Sequence, residues 1–148
     1  RIETLGTMKA ARSILFVDDD RLVRQLFTRL LVKRGYKVSW AADRQEALAL
    51  FSKQNFDVVI AELHLRSSPG GLDILRGFQK LQPTIGKILI TSTDPEAVET
   101  SVKALGAVCI PKPVKIEDLL AAIQKDAIKS EDAVIRRISY KRYPIKRR

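Results

Sequence analysis

The sequence predicts an α/β chain built on a doubly wound, five-stranded parallel sheet, and three observations predict it. Short apolar runs recur at Ile14–Val17, Val58–Ala61, Ile88–Ile90 and Ala107–Ile110; segments of helical periodicity lie between them; and capping or turn residues stand at the joints. The runs are continuous rather than alternating, the pattern of strands covered by helices on both faces. Strands that alternate with helices make βα units, and right-handed crossovers wind such units into one parallel sheet.

Each element carries its own signal. After the first strand, Leu22, Val23, Leu26, Phe27, Leu30 and Leu31 repeat at spacings of three and four, forming one apolar helix stripe. Asp20 is placed to cap that helix and Gly35 to stop it. A weaker run around Tyr36, Val38 and Trp40 reads as an edge strand. Asp43 and Glu46 have capping-box spacing and open a helix near 43–54. Another helix is expected near 71–81, after the third strand. Asp94-Pro95-Glu96 sets a capping residue before proline at the first helical position, which predicts a helix near 95–105. The last helix, near 115–129, carries the stripe Ile116, Leu119, Leu120 and Ile123.

Composition narrows the function classes. A chain of 148 residues, 45% hydrophobic and 30% charged, suits one domain with a single core and short extensions. No apolar run approaches the roughly 18 residues of a membrane span, and no signal peptide precedes the first strand, so a cytoplasmic location is expected. Cys109, the single cysteine, has no partner for an internal disulfide and reads as a small core residue. A first residue that is not Met is compatible with a longer parent protein bearing an effector domain.

The net charge of +10 is concentrated at the end: residues 129–148 hold eight Lys or Arg against two Asp or Glu. The expected organisation is an N-terminal extension over 1–12, one domain over 13–129 and a basic tail over 130–148. In the tail, Val134, Ile135 and Ile138 repeat at helical spacing among Arg136, Arg137, Lys141 and Arg142, and Pro144 ends any helix. Such a segment can bind nucleic acid, an anionic membrane or an acidic partner. A solvated extension, or a helix packed on the domain or on a second copy in a homodimer, is the preferred reading, because no DNA-binding fold has room in about 20 residues.

The chemistry sits at the strand ends. Asp18-Asp19 follows the first run, Glu62 the third strand, Thr91-Ser92 the fourth, and Lys112 the fifth. In an open parallel sheet these carboxyl ends share one edge, where ligands bind at the switch of winding direction. Clustered carboxylates suit a hard cation such as Mg²⁺, and a hydroxyl with an ammonium suits phosphoryl oxygens.

Ile14-Leu15-Phe16-Val17-Asp18-Asp19-Asp20, Gly35-Tyr36, Asp57-Val58-Val59-Ile60-Ala61-Glu62, Ile90-Thr91-Ser92, Gly106-Ala107 and Lys112-Pro113, in this order and spacing, resemble a bacterial two-component receiver domain, CheY-like. The resemblance covers about residues 12–129. It implies the flavodoxin-like (βα)5 fold with strand order 2-1-3-4-5, and a phosphorelay signalling module rather than an enzyme. It also implies a sensor histidine kinase or other signalling protein as partner. By the same resemblance, Asp18 and Asp19 are the metal-binding pair, Glu62 stands at the phosphoacceptor position, and the His64 backbone carbonyl is the further metal ligand. Thr91 is the switch hydroxyl, Lys112 the phosphate sensor, and Lys112-Pro113 the family's cis peptide.

Three departures accompany it. The acceptor position holds Glu instead of Asp; the loop Leu63–Gly71 lacks a proline at Arg66 and is one residue longer; and Cys109 stands where an aromatic switch residue is usual. The resulting expectation is a pseudo-receiver, not phosphorylated at Glu62, with weak Mg²⁺ binding and output through protein contacts. The alternatives are a phosphorylatable, Mg²⁺-dependent regulator and a nucleic-acid-binding protein acting through the tail.

Overall fold

The computed structural model describes residues 12–126. The expected tail over 130–148, the end of the last helix and most of the N-terminal extension lie outside the described residues. Five parallel strands form one sheet in the order β2-β1-β3-β4-β5. They are β1 (Ser13–Val17), β2 (Lys37–Ala41), β3 (Val58–Glu62), β4 (Gly86–Thr91) and β5 (Val108–Pro111). The helices are α1 (Arg21–Lys33), α2 (Arg44–Phe51), α3 (Gly71–Leu81), α4 (Glu99–Leu105) and α5, described from 116 to 126.

Strand periodicity splits the core into two layers. Ile14, Phe16, Val58, Ile60, Ile88 and Ile90 face one side, under Phe27 and Leu31 of α1 and Leu119, Leu120 and Ile123 of α5. Leu15, Val17, Val59, Ala61 and Leu89 face the other, under Ala47 of α2, Ile74, Leu75 and Phe78 of α3, and Val102 and Leu105 of α4. The central strand β3 is buried at every position, which explains why its sequence does not alternate.

The helix signals act as the sequence suggests. Asp20 accepts from the N–H groups of Leu22 (2.9 Å) and Val23 (3.3 Å). Asp43 accepts from Glu46 N–H at 2.9 Å, while the Glu46 carboxylate reaches back to Ala42 N–H, one residue before the usual capping-box partner. Gly35 adopts φ 93°, a left-handed conformation that releases the chain from α1 towards β2.

Four expectations are corrected. The six-residue stripe of α1 spans roughly 180° of the helix circumference at 100° per residue, more than one sheet face covers. Leu22 and Leu26 therefore point outward, at 75% and 54% exposure. The helix expected over 43–54 ends at Phe51, where Ser52 caps it. The segment from 95 begins as a 3₁₀ turn, Pro95–Val98, and becomes α-helical at Glu99, because Val98 departs from helical geometry (φ −117°, ψ 6°). Cys109 is half-buried on the edge strand β5 rather than enclosed in the core.

Gly70 and Gly71 bring α3 against the end of β3. A Cβ at Gly71 would fall inside contact distance of the Glu62 carbonyl oxygen, whereas one at Gly77 on the same helix would meet nothing within 4 Å. Gly71→Ala is therefore expected to destabilise the fold by about 1–3 kcal/mol through forced displacement of α3. Gly77→Ala should instead stabilise by up to about 1 kcal/mol. Urea unfolding midpoints of the two variants check the contrast.

Candidate functional site

The expected polar groups meet at the carboxyl edge of the sheet. Asp18 and Asp19 follow β1, Glu62 ends β3, Thr91 ends β4, and Lys112 follows β5. Strand register aligns these ends: Val17 pairs with Ala61, Glu62 with Ile90, and Thr91 with Pro111. The edge is then stitched beyond the strands by Leu63 N–H to the Ile90 carbonyl and Lys112 N–H to the Thr91 carbonyl, both 2.8 Å. Asp18, Glu62 and Thr91 are buried, at 2%, 3% and 0% exposure. Lys112-Pro113 is cis, as is Ser68-Pro69 in the loop that follows β3.

The central contact is an ion pair, Lys112 Nζ to Glu62 Oε2 at 2.8 Å. Both the close approach of the two groups and the attraction of their charges favour the charged lysine. Burial works against the Lys112 ammonium, yet the Glu62 carboxylate, with Asp18 and Asp20 behind it, outweighs burial and holds the lysine above its ordinary pKa. Burial pushes the Asp18 carboxyl up. The Asp20 N–H bonded to it at 2.8 Å opposes that rise, and the negative charge of Glu62 adds to it. Asp18 Oδ2 is buried with no partner.

Sequence reasoning missed several contacts here. Thr91 Oγ accepts from Thr93 N–H at 2.8 Å, and Thr93 Oγ1 lies 2.6 Å from His64 Nε2, so the exposed His64 ring joins the loops after β3 and β4. The Asp19 carboxylate accepts from Arg66 N–H in the longer loop. The His64 backbone N–H lies 3.4 Å from Glu62 Oε1. Arg24 is buried and donates to the Asp18 carbonyl at 2.7 Å. Only the spacing of Arg24 among the core-facing residues of α1 could have signalled its burial.

A five-stranded sheet of this order, with acids after β1, a carboxylate ending β3, a hydroxyl ending β4 and a lysine after β5, defines the receiver class of signalling domains. The chain belongs to the response regulator receiver domain family, whose model matches residues 14–124, and so to the receivers of two-component systems. Response regulator MprA of Mycolicibacterium vanbaalenii is 33% identical over 114 residues, covering 75% of this chain and 48% of the relative. The chain thus spans about half the length of the curated relatives it matches. A CheY-like receiver domain protein from Methanospirillum hungatei is similar at TM-score 0.76 and 29% identity, over 83% of this chain and 98% of that one. The response regulator TrrA from Thermotoga maritima, solved in complex with Mg²⁺-BeF, is similar at TM-score 0.69 and 26% identity, over 78% and 98% of the two chains. Among the described residues no helix is long and apolar enough to cross a membrane.

The raised pKa of Asp18 has a stability consequence. In the window above 3.8 the folded state holds more protons than the unfolded state, so this group's contribution falls as pH rises through that window. Asp18→Asn keeps an acceptor for Asp20 N–H and removes the buried charge. In metal-free buffer it is expected to stabilise the protein near neutral pH, with the gain shrinking towards pH 4. Thermal melts of both proteins across pH check the sign and the trend.

Proposed function

We propose that this chain is an atypical receiver in which Glu62 stands where the family carries its phosphate-accepting aspartate, takes no phosphoryl group at a useful rate, and leaves the module to act through protein contacts. The observation that carries this reading is the 2.8 Å ion pair between Glu62, 3% exposed, and Lys112. The ammonium that would meet a phosphoryl oxygen is already neutralised by the chain's own carboxylate. Glutamate also reaches further from the strand than aspartate by one methylene, about 1.5 Å. Phosphoryl transfer needs an attacking oxygen in line with its donor, and a displacement near 1 Å can cost about 10²-fold.

Mg²⁺, the family's usual companion, does not fit the arrangement as it stands. The Asp19 carboxylate faces Arg66 N–H and Glu62 faces Lys112. Among the described residues no three acidic, His or Cys side chains gather to hold an ion. Asp18 Oδ2 is buried with neither donor nor ion-pair partner. Weak binding, requiring Glu62 to leave Lys112, follows from this set. A sensor histidine kinase or another cytoplasmic signalling protein is the partner class that the family membership favours.

The comparison that tests this reading is wild type against Glu62→Asp, each incubated with a small phosphodonor and Mg²⁺ and weighed by intact mass. Wild type is expected to stay unmodified, at a rate at least about 10²-fold below the variant, and the variant to gain one phosphoryl group. Stoichiometric phosphate mapped to Glu62 would instead establish a phosphorylatable regulator that tolerates glutamate.

A further inference from the structure

The turn that carries Asp18 and Asp19 is held from beneath by residues with no place yet in the site. Arg24, in the first turn of α1, is 7% exposed, and its Nη1 donates to the Asp18 carbonyl at 2.7 Å. The Asp18 N–H donates to the Ala41 carbonyl, the last residue of β2, at 3.0 Å. Both backbone groups of Asp18 are thus tied, one to α1 and one to the sheet edge. The Arg24 guanidinium carbon lies 4.4 Å from the centroid of the Trp40 ring, within cation–π range. Trp40 precedes Ala41 and is 47% exposed on β2, whose one sheet neighbour among the described residues is β1.

The balance of charge explains why these two side chains belong together. A buried guanidinium needs compensation, and among the described residues Arg24 forms no ion pair and its Nε has no partner. The Asp18 carbonyl and the Trp40 ring face are what it has. That carbonyl belongs to the peptide joining Asp18 to Asp19, so its direction sets the direction of Asp19, whose carboxylate meets Arg66 N–H across the mouth of the site.

We propose that Arg24 and Trp40 are a positioning pair: Arg24 fixes the Asp18–Asp19 peptide, Trp40 fixes Arg24, and the exposed β2 edge thereby sets where the Asp19 carboxylate points. Whatever covers or displaces Trp40 is then felt in the acidic turn. The significance of the pair for signalling rests on the receiver reading given above, whereas its geometry does not.

The test uses the full chain labelled with ¹⁵N, in four variants: Arg24→Met, Arg24→Lys, Trp40→Leu and Trp40→Phe. Arg24→Met is expected to displace the Asp19 and Arg66 amide resonances several times more than amides at the far end of α1, and Arg24→Lys to restore part of the shift, since lysine reaches the carbonyl but does not stack. Trp40→Leu should reproduce the displacement and Trp40→Phe, which keeps a ring face, should largely reverse it. Emission of Trp40, the single tryptophan, should change in Arg24→Met. A folded Trp40→Leu with wild-type Asp19 and Arg66 resonances overturns the proposal, as does a phenylalanine variant indistinguishable from the leucine one. Should Arg24→Met fail to fold, the Trp40 pair, on an exposed edge, decides alone. In the Glu62→Asp background, Arg24→Met should slow phosphorylation about tenfold. If that background takes no phosphate at all, the phosphate-site reading fails while the amide shifts still decide the positioning pair.

Discussion

A parallel sheet places every strand's carboxyl end on one edge, and the polar chemistry of this protein follows from that constraint. Asp18, Glu62 and Thr91 are all buried there because each terminates or follows a strand whose preceding residues fill the core. Two buried carboxylates at one edge repel in a medium of reduced dielectric. The fold answers with its last strand: β5 pairs with β4, the Lys112 N–H bonds the Thr91 carbonyl, and the side chain that follows is the one cation brought to Glu62 among the described residues. Removing β5 would thus remove the neutralising charge as well as an edge of the sheet.

The ion pair is asymmetric, with Glu62 at 3% side-chain exposure and Lys112 at 39%. A fully buried pair recovers little more than its desolvation cost, whereas one with a wet end avoids part of that cost. The pair is therefore a weak contributor to stability and a strong determinant of arrangement: with Lys112 removed, Glu62 would be a buried carboxylate without a counter-charge. Asp18 has no such partner and relies on one N–H bond, which is why burial dominates its behaviour.

The fold was legible because its signals are local and mutually consistent. Continuous apolar runs gave the strands, Asp20 and Asp43 gave two helix starts, and the strand ends gave Glu62, Thr91 and Lys112 without a coordinate. What escaped has a physical pattern. Leu22 and Leu26 share the period of the core residues, and periodicity alone does not say which half of a wide stripe the sheet covers. Arg24 and Lys87 are buried charges, and composition rules place charges outside; Lys87 is accommodated by donating to the Ile85 carbonyl at 2.8 Å. The contacts of Asp19 with Arg66 and of His64 with Thr93 depend on the course of the loops, which no spacing rule fixes. The basic tail, plain in the sequence, lies outside the described residues.

The two departures from the family pattern that the proposed reading rests on, at Glu62 and at Cys109, are linked. On the proposed reading, Glu62 occupies Lys112 in place of a phosphoryl group, so there is no phosphate for the site to report. An aromatic that swings between inward and outward positions would then have nothing to follow, and the residue three before Lys112 is Cys109, short, half-buried and on the edge strand. Burial raises the Cys109 thiol above its ordinary pKa, which favours the protonated form. Loss of the acceptor and loss of the moving aromatic are thus consistent with each other, since each removes one half of a two-state device. What remains at this edge is a fixed constellation, held at Glu62 by β5 and, on the inference drawn from Arg24 and Trp40, at Asp19 by β2. On that reading the module communicates through what binds its surfaces, and the Trp40 edge is one surface tied to the acidic turn through Arg24.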